Sequence, residues 1–328
     1  MRLLFLTDTH CRGTSPRGRL DDFPATVQAK LAEVVALAEE RQVDAVVHGG
    51  DLFDRPDVSP AVVRELAAVL RPLRAPLYAV AGNHDVYGHN PATLPRTMLG
   101  LLEGLGLLRL LEPARPVFFD DGGIRVQLTG QPFHFDLDRR PAAADYLPPG
   151  KEADFAIHVV HGMLLPTPPR VAGLAHTVIE ELASTPADLT LTGHYHLGFG
   201  VRRLGSRLVA NPGALVRIQA TAADRARRPA VLLIEVGGGG PRLELVPLTT
   251  AQPGEAVLAE VLSEEEAYRE RLLDEFGRGL TAAADLQQLE FDEILQTVGA
   301  AAGYPPPVRR EALRRVAEAQ EQLAGEAR

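Results

Sequence analysis

A chain of 328 residues with 45% apolar and 23% charged side chains and a mean hydropathy of −0.03 has a globular balance, which excludes wholesale disorder and a membrane-embedded fold. No apolar run approaches the ~18–20 residues of a bilayer span. The opening apolar residues run into Asp8 without a cleavage-site pattern, and the single cysteine, Cys11, leaves no internal disulfide and suits a reducing cytoplasm. The net charge of −9 is uneven: residues 249–328 hold 16 acidic and 8 basic side chains, the rest of the chain is nearly neutral, and the acidic tail argues against tight autonomous binding to a polyanion.

Residues 2–6 are the first of five short apolar runs that read as buried strands, each ending at a cluster of polar side chains. This first run leads to Asp8 and His10. A periodic stretch from Pro24 to Gln42, with Val27, Leu31, Val34, Val35 and Ala38 on one stripe, predicts a helix. Residues 43–47 then lead to His48-Gly49-Gly50-Asp51, and Ser59-Pro60 opens a second helix through about Leu70. Residues 77–81 lead to Gly82-Asn83-His84-Asp85, residues 155–160 to His161-Gly162, and residues 189–192 to Gly193-His194-Tyr195-His196. The alternation predicts a layered α/β fold whose ligands collect beyond the carboxyl ends of the strands, where these clusters sit.

Two hairpins are predicted next, residues 199–203 with 207–210 and residues 230–236 with 242–247. From Thr249 the pattern turns helical. Ser263-Glu264-Glu265-Glu266 is a capping-box signature, residues 285–298 suit a second helix, and Ala312, Val316, Ala319 and Leu323 form a short apolar stripe read as domain packing rather than a partner surface.

Asp8 and His10 are one residue apart, and on an extended backbone they would share a side and could share an ion; His194 and His196 have the same spacing. Asp51 follows two glycines that allow a sharp turn, and a carboxylate there can bridge two cations. Asn83 adds a neutral oxygen and His161 another imidazole. This set of oxygen and nitrogen donors without thiolate suits two divalent ions, Mn²⁺ favoured over Fe²⁺ or Zn²⁺, and not a thiolate-held structural zinc. Two such ions ~3.5–4 Å apart can deprotonate a shared water and clamp a phosphate. His84, beside a ligand but not needed as one, is assigned general-acid or electrostatic duty, with Asp85 fixing its orientation and keeping it protonated. His158 reads as a hydrogen-bonded core residue, His48 as a supporting or strand-end residue, and His89, His134 and His176 as surface residues, with His89 and Tyr87 alternatively bordering the substrate cleft. Cys11 reads as a buried, inert thiol, and Arg55, Arg139 and Arg140 as solvated.

In this order the clusters Asp-x-His, Gly-Asp, Gly-Asn-His-Asp, His-Gly and Gly-His-x-His resemble the calcineurin-like metallophosphoesterase superfamily over residues 1–248. The resemblance implies a four-layer α/β/β/α sandwich, here with a helical C-terminal region. One metal would lie on Asp8, His10, Asp51 and His196, the other on Asp51, Asn83, His161 and His194. Gly50-Asp51-Leu52-Phe53-Asp54-Arg55-Pro56 and Asn211-Pro212-Gly213-Ala214-Leu215 further resemble the SbcD-type DNA repair exonucleases, although Asp54 stands where some of them carry histidine. This second resemblance implies a hydrolase, a dinuclear metal-dependent phosphodiesterase acting as a DNA nuclease subunit in the cytoplasm. Residues 1–248 would be its catalytic domain, and the acidic helical region 249–328 a cap or a docking element for a coiled-coil ATPase of the SbcC type. The oligomeric state stays open, a homodimer among the options. Two rival readings are a small-molecule or cyclic-nucleotide phosphodiesterase using the same metals, and a non-catalytic scaffold, against which the intact ligand set counts.

Overall fold

The computed structural model describes residues 1–169, 174–259 and 305–326. Strands β1 (Arg2–Leu6), β2 (Ala45–His48), β3 (Leu77–Ala79) and β4 (Arg109–Leu110) run parallel and are joined by α1 (Phe23–Glu40), α2 (Pro60–Leu70) and α3 (Met98–Gly104). The antiparallel pair β13 (Ala230–Gly237) and β14 (Gly240–Pro247) extends this sheet beyond β1, in the order β14-β13-β1-β2-β3-β4. A second sheet, in the order β11-β12-β10-β7-β6-β5, contains β5 (Val117–Asp121), β6 (Ile124–Gln131), β7 (Phe155–Val160), β10 (Leu189–Thr192), β11 (Gly200–Leu204) and β12 (Arg207–Asn211). A short ladder of β8 (Leu164–Leu165) and β9 (Thr177–Val178) stands apart.

The side chains explain the layering. On β1, Leu3 and Phe5 join Ala45, Val47 and Tyr78 in a core shared with Val126, Leu128, Ile157, Val159, Leu189 and Leu191 of the second sheet. Leu4 and Leu6 point the other way, into a core with the α1 stripe Phe23, Val27, Leu31 and Val34 and the α2 residues Val62, Val63 and Leu66. Strands buried on both faces read as unbroken apolar runs, which is why the five runs could be located. The outer face of the second sheet carries Val160 and Val209 against Leu137, Tyr146, Leu164, Ile179 and Leu182. This fourth layer is thin: its cover comes from short 3-10 turns, Ala142–Ala144 and Ile179–Leu182, rather than long helices.

Helix α1 begins where the Asp22 carboxylate accepts the Ala25 N–H at 3.1 Å, and it ends before the predicted Gln42 because Gln42 turns left-handed (φ 50°). The β5–β6 hairpin was not anticipated, yet its signal was present: Gly122 and Gly123 take φ 55° and 83° at the turn. Past β14 the chain stays on the first sheet's helical layer, with Thr249 and Thr250 both donating to the Glu33 carboxylate of α1 before the short helix α5 (Gly254–Val257), which lies beside α4 (Ala222–Ala226). Helix α6 (Pro306–Glu326) lies against the 3-10 turn Tyr87–His89, with Leu313 buried and Arg310 Nη1 3.8 Å from Asp136 Oδ2. The capping box at Ser263 and the helix expected over residues 285–298 lie outside the described residues. Among the described residues no helix is long and apolar enough to cross a membrane.

His158 is a core residue, 1% exposed, with Nδ1 2.8 Å from Thr129 Oγ1 and Nε2 3.1 Å from the Asp145 carbonyl. Burial pushes its pKa down to about 4. Between pH 6.5 and 4 the unfolded chain therefore takes up a proton that the folded chain refuses, so stability falls as pH falls, by up to about 3 kcal/mol. His158→Gln is expected to flatten this part of the pH dependence in urea unfolding, and slopes identical to wild type would refute the assignment.

Candidate metal centre

The polar clusters converge at the carboxyl ends of β1, β2, β3, β7 and β10. The convergence does not use extended backbone, as the Asp-x-His spacing suggested. Asp8 (φ 53°) and His10 (φ 43°) both turn left-handed, fixed by Asp8 N–H to the Gly50 carbonyl and by Thr9 and His10 N–H to the Asp51 carbonyl, each at 3.0 Å. Asp51 (φ 54°) and His194 (φ 68°) adopt the same conformation. Seven non-glycine residues among those described have positive φ, and four of them are proposed ligands, a clustering typical of backbone held in place for function. Two glycines make room: a Cβ on Gly50 (φ 102°) would overlap the His161 ring, and one on Gly82 would overlap the Asp51 carboxylate.

Three donor groups result, two of them built from the expected ligands and the third from His10, Asp54 and His84. Asp8, His10, Asp51 and His196 bring one ligand atom each within 4.8 Å of one another, and Asp51, His161 and His194 do the same. Asn83 Oδ1 joins the second group, 3.2 Å from His161 Nε2. The two histidines of the Gly-His-x-His run thus fall in different donor groups. Asp51 is common to both: Oδ2 stands 3.2 Å from His161 Nε2 and 3.7 Å from His10 Nε2, while Oδ1 accepts the His84 N–H at 2.9 Å.

The residues fit a pair of cations. Asp51 Oδ2 is buried with no hydrogen-bond donor, an arrangement a carboxylate oxygen tolerates when a cation satisfies it. His10 Nε2 and His196 Nε2 face each other at 3.1 Å, close enough for an N–H···N bond in one pair of tautomers or for both lone pairs to face one cation. His161 donates Nδ1–H to the Gly49 carbonyl at 2.7 Å, which fixes the tautomer and turns the Nε2 lone pair into the site. His48 has no nitrogen to spare: Nδ1 accepts the Gly50 N–H and Nε2 meets Thr9 Oγ1, both at 3.2 Å, so it supports the strand ends.

The profile of the family described as Calcineurin-like phosphoesterase matches residues 1–198, more than half of the chain and all of the convergent clusters. The chain belongs to the calcineurin-like phosphoesterase family. Two curated relatives of this family member are both named DNA double-strand break repair protein Mre11. The one from Halobacterium salinarum is 29% identical over 229 residues, 68% of this chain and 54% of that protein. The one from Haloferax volcanii is 33% identical over 175 residues, 50% of this chain and 35% of that protein. The phosphoesterase chain therefore spans about half the length, or less, of the relatives it matches. A solved structure of TT1561 from Thermus thermophilus aligns over 74% of this chain and 98% of its own, at 16% identity and a TM-score of 0.41.

The electrostatics of the phosphoesterase site follow from burial and mutual proximity. Burial alone would raise Asp8 and Asp51, but His196 beside Asp8 and His161 beside Asp51 hold both well below the usual carboxylate range. Burial likewise opposes charge on His161, yet Asp51 and Asp8 pull it up to about 9, so a cation loading there displaces a proton. Burial, with His161 adding to it, pushes His194 down to about 3 and keeps its lone pair available.

His84 is half-buried beside the first group, its ring 4.8 Å from that of His10. Its orienting partner is not Asp85. His84 Nδ1–H donates to the Asp54 carbonyl at 2.9 Å, whereas the Asp85 carboxylate accepts from Gly82 N–H at 2.9 Å, Phe53 N–H at 3.0 Å and Leu52 N–H at 3.3 Å. Asp85 braces the Gly-Asn-His-Asp turn against the Asp51 loop, because its side chain folds back under its own turn. Burial, reinforced by Asp51, pushes its pKa up to about 7.

Sequence reasoning missed the roles of two contributors, Asp54 and Phe133, and left His89 between the surface and the border of the cleft. Asp54 is buried, with Oδ1 3.7 Å from His10 Nδ1 and Oδ2 3.1 Å from Arg12 Nη1. Phe133 forms an aromatic wall over the second group, its ring 5.6 Å from His194 and 6.3 Å from His161. His89, expected at the surface or at the border of the cleft, packs edge-on against Phe133 at 5.2 Å, and burial pushes it down to about 4. Nothing in the spacing of Phe133 marks it, since it follows β6, which was not read as a strand. His134 also has a partner, Asp145 at 2.8 Å, and Arg140 pairs with the same carboxylate. Cys11 is buried, its thiol pushed up to about 12 by burial, which leaves it unreactive.

Proposed function

We propose that this phosphoesterase is a dinuclear metal-dependent phosphodiesterase that cleaves DNA as a nuclease subunit, with Mn²⁺ as its native ion. Asp8, His10, Asp51 and His196 would hold one cation and Asp51, Asn83, His161 and His194 the other. The observation that carries the reading is the orphaned, buried Asp51 Oδ2 between two imidazoles of opposite groups. Two divalent cations held there supply Lewis-acid activation of the phosphate and of water. The chain's own residues do the rest. His84, anchored through Nδ1–H on the Asp54 carbonyl, presents Nε2 to the leaving oxygen and gives up a proton there. Phe133 and His89 wall the second group and exclude bulk water from it.

The DNA part of the reading rests on the two relatives named for double-strand break repair. The nearly neutral catalytic region, residues 1–248, has a weak polyanion footprint of its own. Region 249–328 is therefore assigned as the docking element for a coiled-coil ATPase of the SbcC type that supplies DNA affinity. The same weak footprint favours a small phosphodiester as the second reading. With the Mn²⁺-loaded protein, single-stranded DNA, bis(p-nitrophenyl) phosphate and p-nitrophenyl phosphate separate the cases. Cleavage of DNA and the diester is expected. Diester cleavage without DNA cleavage, with or without the ATPase, selects the small-substrate reading, and turnover of the monoester alone overturns both.

A further inference from the structure

A neutral His10 ring carries its proton on one nitrogen or the other, and the two states differ in what they offer a cation. With the proton on Nδ1, a lone pair on Nε2 faces His196 Nε2 at 3.1 Å and Asp51 Oδ2 at 3.7 Å. With the proton on Nε2, that face is closed to a metal. His10 is 1% exposed, so bulk water does not choose between them, and its Nδ1 meets no hydrogen-bond partner among the described residues.

What faces Nδ1 is the Asp54 carboxylate, with Oδ1 at 3.7 Å. That is too long for a hydrogen bond as it stands, and a shift of roughly half an ångström makes it one. The backbone sets Asp54 in this place. Cys11 N–H donates to the Leu52 carbonyl at 2.9 Å and Asp54 N–H to the Cys11 carbonyl at 3.2 Å, so the loop after Asp51 is zipped onto the segment that carries His10. Asp54 is 5% exposed, and its other oxygen, Oδ2, pairs with Arg12 Nη1 at 3.1 Å. Arg12 Nη2 is steadied in turn on Thr14 Oγ1 at 3.1 Å. The guanidinium thus orients the carboxylate with Oδ1 toward the ring.

His10, Asp54 and His84 also bring one ligand atom each within 4.8 Å of one another. A cation there would need Nδ1 of His10 while Nε2 serves the first ion, hence an imidazolate ring, and it would stand beside the Arg12 guanidinium. We propose instead that Asp54 is a positioning residue for the cation of Asp8, His10, Asp51 and His196: it accepts the His10 Nδ1–H and so fixes the tautomer that turns the Nε2 lone pair into the site. This rests on the proposed ligand assignment, in which His10 serves that cation. A carboxylate that orients a ligating imidazole in this way is worth about 10–100-fold in metal affinity.

Long-range proton–nitrogen NMR of the metal-free, full-length, histidine-labelled protein at mildly alkaline pH reads the tautomer directly, with His10 assigned by its absence in His10→Gln. Wild type is expected to carry the His10 proton on Nδ1. Asp54→Ala should move it wholly or partly to Nε2, where Asp51 and His196 can accept it. The same tautomer in both proteins overturns the proposal. In calorimetric titration with Zn²⁺, Asp54→Ala should weaken one of two equivalents by about 10–100-fold and leave the other unchanged. Asp54→Asn, which keeps an acceptor oxygen without the charge, should lose less. Equal weakening of both equivalents would mean damage to the loop, and loss of a third equivalent would make Asp54 a ligand; either result overturns the positioning role. Fewer than two equivalents in wild type would sink the dinuclear reading, and the tautomer comparison would still decide for or against Asp54. If Asp54→Ala does not fold, the wild-type spectrum decides, by which nitrogen holds the proton.

Discussion

Asp51→Asn is expected to remove at least one of two bound metal equivalents and to lower diester turnover by more than the ~100-fold seen when residues that merely support a metal site are changed. The amide has the shape of the carboxylate, so the fold should survive, and its oxygen can still accept the His84 N–H now bonded at 2.9 Å. What it lacks is the second anionic oxygen, which in the wild type stands between His161 and His10 and is shared by both donor groups. Losing one charge at a shared position weakens both cations, whereas losing any imidazole weakens only one. Elemental analysis of gently purified protein, paired with bis(p-nitrophenyl) phosphate hydrolysis, reads both quantities. Two retained equivalents with near-normal turnover would remove Asp51 from the bridging position.

His84→Ala should instead lower kcat by roughly 10²–10⁴-fold while metal content stays at two equivalents. The ring lies outside the two groups that share Asp51, although it stands with His10 and Asp54 as a third possible donor set, and its Nδ1–H is committed to the Asp54 carbonyl, so Nε2 is the nitrogen assigned to proton donation. Proton donation matters most when the leaving oxygen is basic. The loss should therefore be larger on DNA, which expels an alkoxide, than on bis(p-nitrophenyl) phosphate, whose phenolate leaves without help. Equal losses on both substrates would argue for purely electrostatic duty, and loss of metal would make His84 a ligand.

The sequence made the strands legible because β1, β2, β3, β7 and β10 are buried on both faces, so their apolar runs are continuous and end sharply at polar clusters. The β5–β6 hairpin escaped because β5 is only half covered, and its pattern Val117-Phe118-Phe119-Asp120-Asp121 neither alternates cleanly nor runs unbroken. At the site, residue type and order pointed to the side chains of the two donor groups that share Asp51, but not to Asp54, which joins His10 and His84 in a third. Spacing did not reveal the backbone conformation that joins them: Asp8 and His10 converge through left-handed turns pinned on Asp51, a long-range contact that no local pattern encodes. The same limit explains Asp85. Its neighbour in sequence is His84, but the N–H groups that its carboxylate can reach belong to Gly82 and to the loop after Asp51.

The left-handed residues at the centre set evolution against thermostability. Asp8, His10, Asp51 and His194 occupy a region where glycine would rest more comfortably, although aspartate and histidine bear it better than branched side chains do. Their cost in local strain is about 1–3 kcal/mol each, offset in part where the Asp8 and Asp51 carboxylates accept the N–H groups of His194 and His84. Under the proposed ligand assignment, selection for turnover holds these four in place against that local strain, a trade of stability for function.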